Sequence, residues 1–311
     1  MWKRWEKRYL FTYPFHSATV RCNDSNAFQC GGDRREEGNM KLFETQKNDC
    51  AFIGMVHLGA LPGTPGSCLS IDEILQNAMR DAQNLVEGGC DALLVENMAD
   101  LPYLNGHVGP EIVAAMAIAV DRLTTAFSLP VGVQVLAGAN CEAMGLAACA
   151  GAQFIRAEAF AYAHIADEGM MNASAAEVLR LRKRLGANVK VWADVQKKHS
   201  CHAITSDAKL EDLAHGFAFC GADALIVTGV STGCEAHIED VAKVRPAHLP
   251  VVIGSGITAN NAAKFAAAAD GLIVGTSIKC DGNWRKPVEK ERVQAIAKAL
   301  TLPEAQHAFE R

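Results

Sequence analysis

The sequence predicts an α/β protein, a single (β/α)8 TIM barrel of the phosphate-binding type, and three observations predict it. Eight short apolar runs, many of them β-branched, alternate with longer helical patterns between Ala51 and Leu300. Glycine or another small residue recurs where a helical pattern gives way to the next strand. No Gly-rich dinucleotide fingerprint follows the first strand, as an open doubly wound sheet would require.

The predicted strands are Ala51–Val56, Ala92–Val95, Val131–Val135, Phe154–Ala157, Val189–Ala193, Ala224–Val227, Val251–Ile253 and Leu272–Val274. Continuous apolar runs of this length suit strands buried on both faces. Ser70-Ile-Asp-Glu73 reads as a capping box opening a helix to about Glu87, with Gly88-Gly89 ending it. Pro110 suits the first position of a helix reaching about Phe127. Asn140–Ala150 forms a shorter helix, and Ser174-Ala-Ala-Glu177 reads as a second capping box. Helices near Leu210–Cys220, Ile238–Val244, Thr258–Ala268 and Val288–Leu300 complete the series. Gly89-Cys-Asp-Ala92, Gly151-Ala-Gln153, Gly221-Ala-Asp-Ala224 and Ala269-Asp-Gly271 form a faint repeat between helix and strand.

The 311 residues suit one large barrel or two medium domains. Half of them are apolar and 21% are charged, enough apolar material for a substantial core and unlike a disordered chain. A net charge of −5 with no dense basic patch argues against nucleic acid as a partner. Eleven cysteines form no CxxC pair, so they read as small apolar residues in a reducing compartment. The longest apolar run, Ile112–Val120, stops at Asp121, so no transmembrane segment is expected. Residues 49–300 are read as the barrel, 1–48 as a disordered or targeting extension, and 301–311 as a tail. Seven basic residues lie in 1–39, but Glu6, Asp24 and Asp33 suit a mitochondrial peptide poorly. The expected compartment is the cytoplasm, with the mitochondrion as the alternative.

In such barrels chemistry lies at the C-terminal ends of the strands. There the sequence offers His57 after strand one, Glu96 and Asn97 after strand two, and Gln134 in strand three. Arg156 and Glu158 at strand four read as an ion pair or as two separate substrate contacts. The loop Ala159–Ala173, with His164, Asp167 and Glu168, reads as a lid. Strand five ends in Asp194, followed by Lys197, Lys198, His199 and His202. Carboxylates and histidines at strand ends are candidates for acid–base work, and His199 with His202 is a weak metal pair. The last third carries the sharper signal: Thr228, Gly254-Ser255-Gly256 before Thr258, and Gly275-Thr276-Ser277. Glycine lets backbone approach an anion closely, and the last two strand loops are where barrels hold phosphate.

These residues resemble the BtpA family. The matching stretches are Ile53-Gly-Met-Val-His-Leu58 with Leu61-Pro-Gly63, Glu96-Asn97, Phe154-Ile-Arg156, Ala193-Asp-Val195 with Lys198-His-Ser200, and Ile226-Val-Thr-Gly229. Gly254-Ser-Gly256 and Asp270–Thr276 with Lys279 and Asp281-Gly282 continue the match in order to the end of the barrel. The resemblance implies a barrel of the ribulose-phosphate-binding type. It also implies a family with a founding role in photosystem I biogenesis and some members near sugar-utilisation functions. At strand three the chain reads Gln134 where the resemblance leads one to expect asparagine.

The reading that follows is an enzyme for a small phosphorylated metabolite, a sugar phosphate or a nucleotide. Asp194 and Glu96 are the candidate acid and base, assisted by His57 or His199. Arg156 and Lys198 balance anionic charge; Thr228, Gly254, Ser255, Gly256, Gly275, Thr276 and Ser277 hold phosphate. No cofactor is predicted. A divalent metal on His57, Glu96 and Asp194 is a further reading, as is homo-oligomerisation. A non-catalytic assembly factor for a protein complex is the alternative function.

Overall fold

The structure, a computed structural model, describes residues 42–43, 50–229 and 235–301. Eight parallel strands close into a barrel: β1 (Ala51–His57), β2 (Ala92–Glu96), β3 (Val131–Gln134), β4 (Phe154–Ala157), β7 (Lys190–Asp194), β9 (Ala224–Val227), β10 (Val251–Ile253) and β11 (Gly271–Val274). The eight predicted strands are these eight, within a residue or two at their ends. Around them lie α1 (Ile71–Gly88), α2 (Pro110–Ala126), α3 (Asn140–Ala150), α4 (Ala175–Arg184), α5 (Leu210–Phe219), α6 (Ile238–Val244), α7 (Ala262–Ala266) and α8 (Lys290–Leu300).

The faint repeat at the helix-to-strand turns acquires a physical meaning. Gly89, Gly151 and Gly221 each adopt a positive φ that reverses the chain after a helix. The polar residue just before the next strand then caps the strand before it. Asp91 Oδ2 accepts from Phe52 N at 2.8 Å, and Gln153 Oε1 from Val131 N at 2.7 Å. Asp223 Oδ2 accepts from Val191 N at 2.9 Å, and Asp270 Oδ2 from Val251 N at 2.7 Å. Each bond satisfies an N–H near the start of a strand, where a buried orphan donor would be costly.

Side chains alternate across each strand. One set packs against the helices in the main core. The other fills the barrel interior with Ile53, Met55, Leu94, Phe154, Trp192, Ile226, Val252 and Ile273. Phe154 and Trp192 stack there at 3.8 Å. Leu42, 5% exposed, joins the interior cluster, and Phe43 lies 5.2 Å from Trp192. These two residues fall within the stretch the sequence assigned to the extension, yet they pack on the floor of the barrel. The rest of that stretch and the tail from 302 lie outside the described residues.

Three local expectations are corrected. Ser174 does not form the predicted capping box: its Oγ donates to Ala159 O at 3.1 Å and accepts from Asn140 Nδ2 at 2.8 Å. Tertiary partners outcompete the local cap. The helix expected from Thr258 begins at Ala262, because Asn261 Oδ1 accepts from Thr258 N at 2.7 Å and shapes a turn first. The loop 159–173 contains a hairpin, β5 (His164–Ala166) and β6 (Gly169–Met171), extended by β8 (Ser200–Cys201). Asn105 Nδ2 donates to Glu168 O and Met170 O, both at 3.0 Å, and ties the hairpin to the loop after β2.

Candidate functional site

The inward alternation that fills the barrel with apolar side chains turns polar at the C-terminal ends of the strands. His57 pairs in register with Glu96, and Glu96 with Gln134. Arg156 and Asp194 follow on β4 and β7. Glu96, Gln134, Arg156 and Asp194 are each nearly fully buried. So many buried polar groups on one level are costly unless paired or used.

Arg156 and Asp194 are paired. Arg156 Nε and Nη2 donate to the two Asp194 oxygens, each at 2.9 Å. This bidentate geometry is the strong form of the pair. Burial opposes the Arg156 charge, and the Asp194 carboxylate more than offsets it, holding the guanidinium protonated. Arg156 therefore pairs with Asp194, not with Glu158 beside it. Glu158 faces Lys197 at 3.5 Å, and Lys197 donates to Glu168 at 2.7 Å. Burial pushes Glu158 up to about 7, against the pull of Lys197.

A cavity of about 600 Å3 opens beside this layer. His57, Glu96, Arg156 and Lys198 line it together with Gly254, Ser255, Gly256, Gly275, Thr276 and Ser277. The glycines are needed for close packing. A Cβ on Gly254 would lie 2.7 Å from Ile226 Cγ2 and 3.1 Å from Arg156 Nη2. One on Gly275 would lie 3.1 Å from His57 Cε1. Gly256 has a φ of 76°, where a side chain is strained.

The electrostatics divide the lining groups. Burial drives His57 well below its ordinary value, and the charges of Lys279, Lys198 and Arg156 push it further, so it is neutral near pH 7. Burial raises the Glu96 carboxyl, with Lys198 and Arg156 pulling against it. Burial also lowers the Lys198 ammonium. His57 Nε2 lies 3.4 Å from Glu96 Oε2. A carboxyl raised, an amine lowered and a neutral imidazole thus share one cavity.

Other candidates are placed elsewhere. Asp194 does not line the cavity; it holds Arg156, which does. Thr228 Oγ1 donates to Gln196 O at 2.9 Å, outside the cavity lining. His199 is exposed, at a φ of 56°, and does not line it either. Ser255 Oγ accepts from Gly229 N at 2.6 Å, and Ser277 Oγ donates to Ile257 O at 2.6 Å, so both hydroxyls shape their loops. Asn97 is a structural knot: its Oδ1 accepts from Leu136 N at 2.7 Å, and its Nδ2 donates to Asp100, which accepts from Leu61 N at 2.8 Å. Among the described residues no group of three or more His, Cys, Asp or Glu side chains gathers to hold a metal ion. No described helix is long and apolar enough to cross a membrane.

Sequence reasoning missed Met98, Asn260 and Arg292, which also line the cavity. Arg292 belongs to α8, which follows the last strand, and no strand-end pattern points to it. Lys279, part of the last motif, is 1% exposed and donates to Asp81 at 2.7 Å. Asp81 also accepts from Val288 N at 3.0 Å, so this pair anchors the loop after β11 onto α1.

Fold and site together define a TIM barrel with its polar centre on the C-terminal face. The chain belongs to the BtpA family, whose model matches residues 48–301. It is 40% identical over 253 residues to an uncharacterized mitochondrial protein of Caenorhabditis elegans, covering 79% of this chain and 91% of that one. It is 34% identical over 266 residues to the photosystem I biogenesis protein BtpA of Synechocystis, covering 84% and 91%. Among solved structures it is similar in fold to tryptophan synthase from M. tuberculosis, with a TM-score of 0.52, 18% identity and coverage of 87% and 98%. It is likewise similar to N-(5'-phosphoribosyl)anthranilate isomerase from Pyrococcus furiosus, with a TM-score of 0.50, 13% identity and coverage of 81% and 98%.

Proposed function

We propose that this protein is an enzyme acting on a small phosphorylated metabolite, with the phosphate held between Gly254–Gly256 and Gly275–Ser277. One observation carries the reading: a single cavity joins those glycine loops to Glu96, His57 and Lys198. Lys198, lowered by burial, is the candidate base, and Glu96, raised by burial, the candidate acid. Neutral His57 sits against Glu96 and relays or orients its proton. Arg156, fixed by Asp194, adds a permanent positive charge facing the ligand. A solved barrel of similar fold is named for a phosphoribosyl compound that it isomerises, which supports the ligand class.

The test is a thermal-shift screen against sugar phosphates, nucleotides and inorganic phosphate, with and without divalent metal, on the wild type and Thr276→Asp. A ligand at 100 times its Kd adds about 2.7 kcal/mol of stability. A phosphorylated compound should raise the wild-type Tm and not that of T276D. If nothing shifts the wild type, the enzyme reading falls. The assembly role named for the Synechocystis relative then becomes the reading to pursue. For the compartment we propose mitochondrial import, on the ground that the C. elegans relative is named mitochondrial. A fluorescent fusion of the full chain that stays in the cytosol overturns it.

A further inference from the structure

A second cavity, of about 480 Å3, adjoins the first, and the proposed reaction leaves all but one of its lining residues unused. That one is His57, which lines both cavities, so the two meet at its side chain. A single loop also serves both. After β11, Thr276, Ser277 and Gly282 line the first cavity, while Lys279 and residues 284–287 line the second. The ends of this loop are pinned. Cys280 N donates to Pro287 O and Glu289 N to Ile278 O, each at 2.9 Å, and the buried Lys279–Asp81 pair ties the loop to α1.

The charge of this second cavity is positive. Arg80, Lys279, Arg285 and Lys286 line it with a single carboxylate, Asp81, in a chain whose net charge is −5. Asp81 is taken by Lys279 and Val288 N, and Lys286 pairs with Asp281. Arg80 and Arg285 have no carboxylate partner among the described residues, yet both are held in place. Arg80 Nη2 donates to Asn77 Oδ1, one turn earlier on α1, at 3.0 Å. The Arg285 guanidinium lies 4.2 Å from the centre of the Trp284 ring. A guanidinium fixed in this way keeps its remaining donors oriented for an anion. Leu69, Leu101 and Trp284 add apolar lining. Apolar walls with a few convergent polar groups make the composition of a small-molecule site.

We propose that the second cavity is an anion subsite for the far end of the same ligand, which makes the substrate a two-ended anion such as a sugar bisphosphate or a phosphorylated sugar acid. This rests on the phosphate reading above. The glycine loops hold the first phosphate, and Arg80 and Arg285 hold the second anionic group. His57, at the junction of the cavities, stands against the carbon skeleton that joins them. A guanidinium fork matches a phosphate and a carboxylate alike, so the second group is an anion of either kind. The two arginines are specificity determinants and take no proton in the reaction.

The test compares Kd values of the full chain for matched ligands with one and two anionic ends. These are glucose 6-phosphate against glucose 1,6-bisphosphate and 6-phosphogluconate, and ribose 5-phosphate against ribose 1,5-bisphosphate. The wild type should prefer at least one two-ended ligand over its matched monophosphate by about tenfold or more, the effect of one charge-assisted contact. The bisphosphate and the phosphogluconate separate a second phosphate from a carboxylate. The double variant Arg80→Gln/Arg285→Gln should lose that preference and keep its affinity for the monophosphates. Both side chains are exposed, so its free-state Tm should match the wild type. Arg285→Lys, which keeps the charge, should keep part of the preference. A wild type that prefers no two-ended ligand, or a double variant that retains the preference, overturns the subsite and leaves the phosphate reading standing. A double variant that weakens matched one-ended and two-ended ligands by the same factor shows only a general field, and it also overturns the subsite. If no phosphorylated probe binds the wild type, the phosphate reading itself falls, and the subsite with it.

Discussion

Arg156 and Asp194 show how a residue found by pattern can take a role other than the one its position suggests. Asp194 at the end of a strand looks like an acid or base, but both its oxygens hold the Arg156 guanidinium in a buried site. Removing the carboxylate strands that charge. Asp194→Ala should cost about 3–5 kcal/mol in denaturant unfolding, well beyond an ordinary surface change. Glu158 gives a pH signature. Its folded-state value is pushed up to about 7, while an unfolded glutamate titrates near the usual carboxylate range. Between roughly pH 4.5 and 7 the folded state keeps a proton that the unfolded state has released, so this group's contribution makes stability fall as pH rises through that window. Unfolding midpoints at pH 5 and pH 7.5 should show that loss in the wild type and much less of it in Glu158→Gln. Equal slopes would mean that Glu158 ionises normally.

The elements that position the site are held by few bonds. The β5–β6 hairpin covers the β3–β4 side of the mouth through Lys197–Glu168 and two hydrogen bonds from Asn105. Each such bond contributes about 1 kcal/mol. Asn105→Ala should therefore speed amide exchange in 164–171 by on the order of tenfold and leave the barrel strands unchanged. Uniform acceleration across the barrel would show that the hairpin does not open by itself. By contrast, α1 begins with a complete capping box, in which Glu73 N donates to Ser70 Oγ and Ser70 N to Glu73 Oε2. The box predicted at Ser174 has the same residues and fails, because Asn140 and the Ala159 carbonyl claim the hydroxyl.

At the scale of the whole molecule, the barrel is closed at its floor by side chains from before the first strand. Leu42 joins the interior cluster, and Phe43 packs near Trp192 and against Gly271, the first residue of β11. We propose that the folded unit therefore includes Leu42 and Phe43 and that a chain starting at residue 50 lacks part of its floor. Leu42→Ala should destabilise by about 2 kcal/mol or more, lowering Tm by several degrees. It should also alter the emission of Trp192, which sits on that floor. An unchanged Tm would place these two residues outside the folding unit.

The sequence by itself determined the eight strands, most of the helices and the level of the barrel at which polar residues gather. These are properties of local pattern: burial on both faces gives continuous apolar runs, and a helix-to-strand turn needs glycine and a short polar cap at a fixed offset. It also placed Glu96, His57, Arg156, Lys198 and the two glycine loops as candidates, since each stands at the end of a strand. What it left open depended on distance in space rather than in sequence. Only the closed barrel decided that Arg156 turns to Asp194, 38 residues away, rather than to its near neighbour Glu158. Only the tertiary structure set Lys279 against Asp81, moved His199 out of the cavity and left the Gln134 amide without a hydrogen-bond partner among the described residues. Burial and pairing across strands set the charge and availability of a polar group, and neither is written in the local sequence.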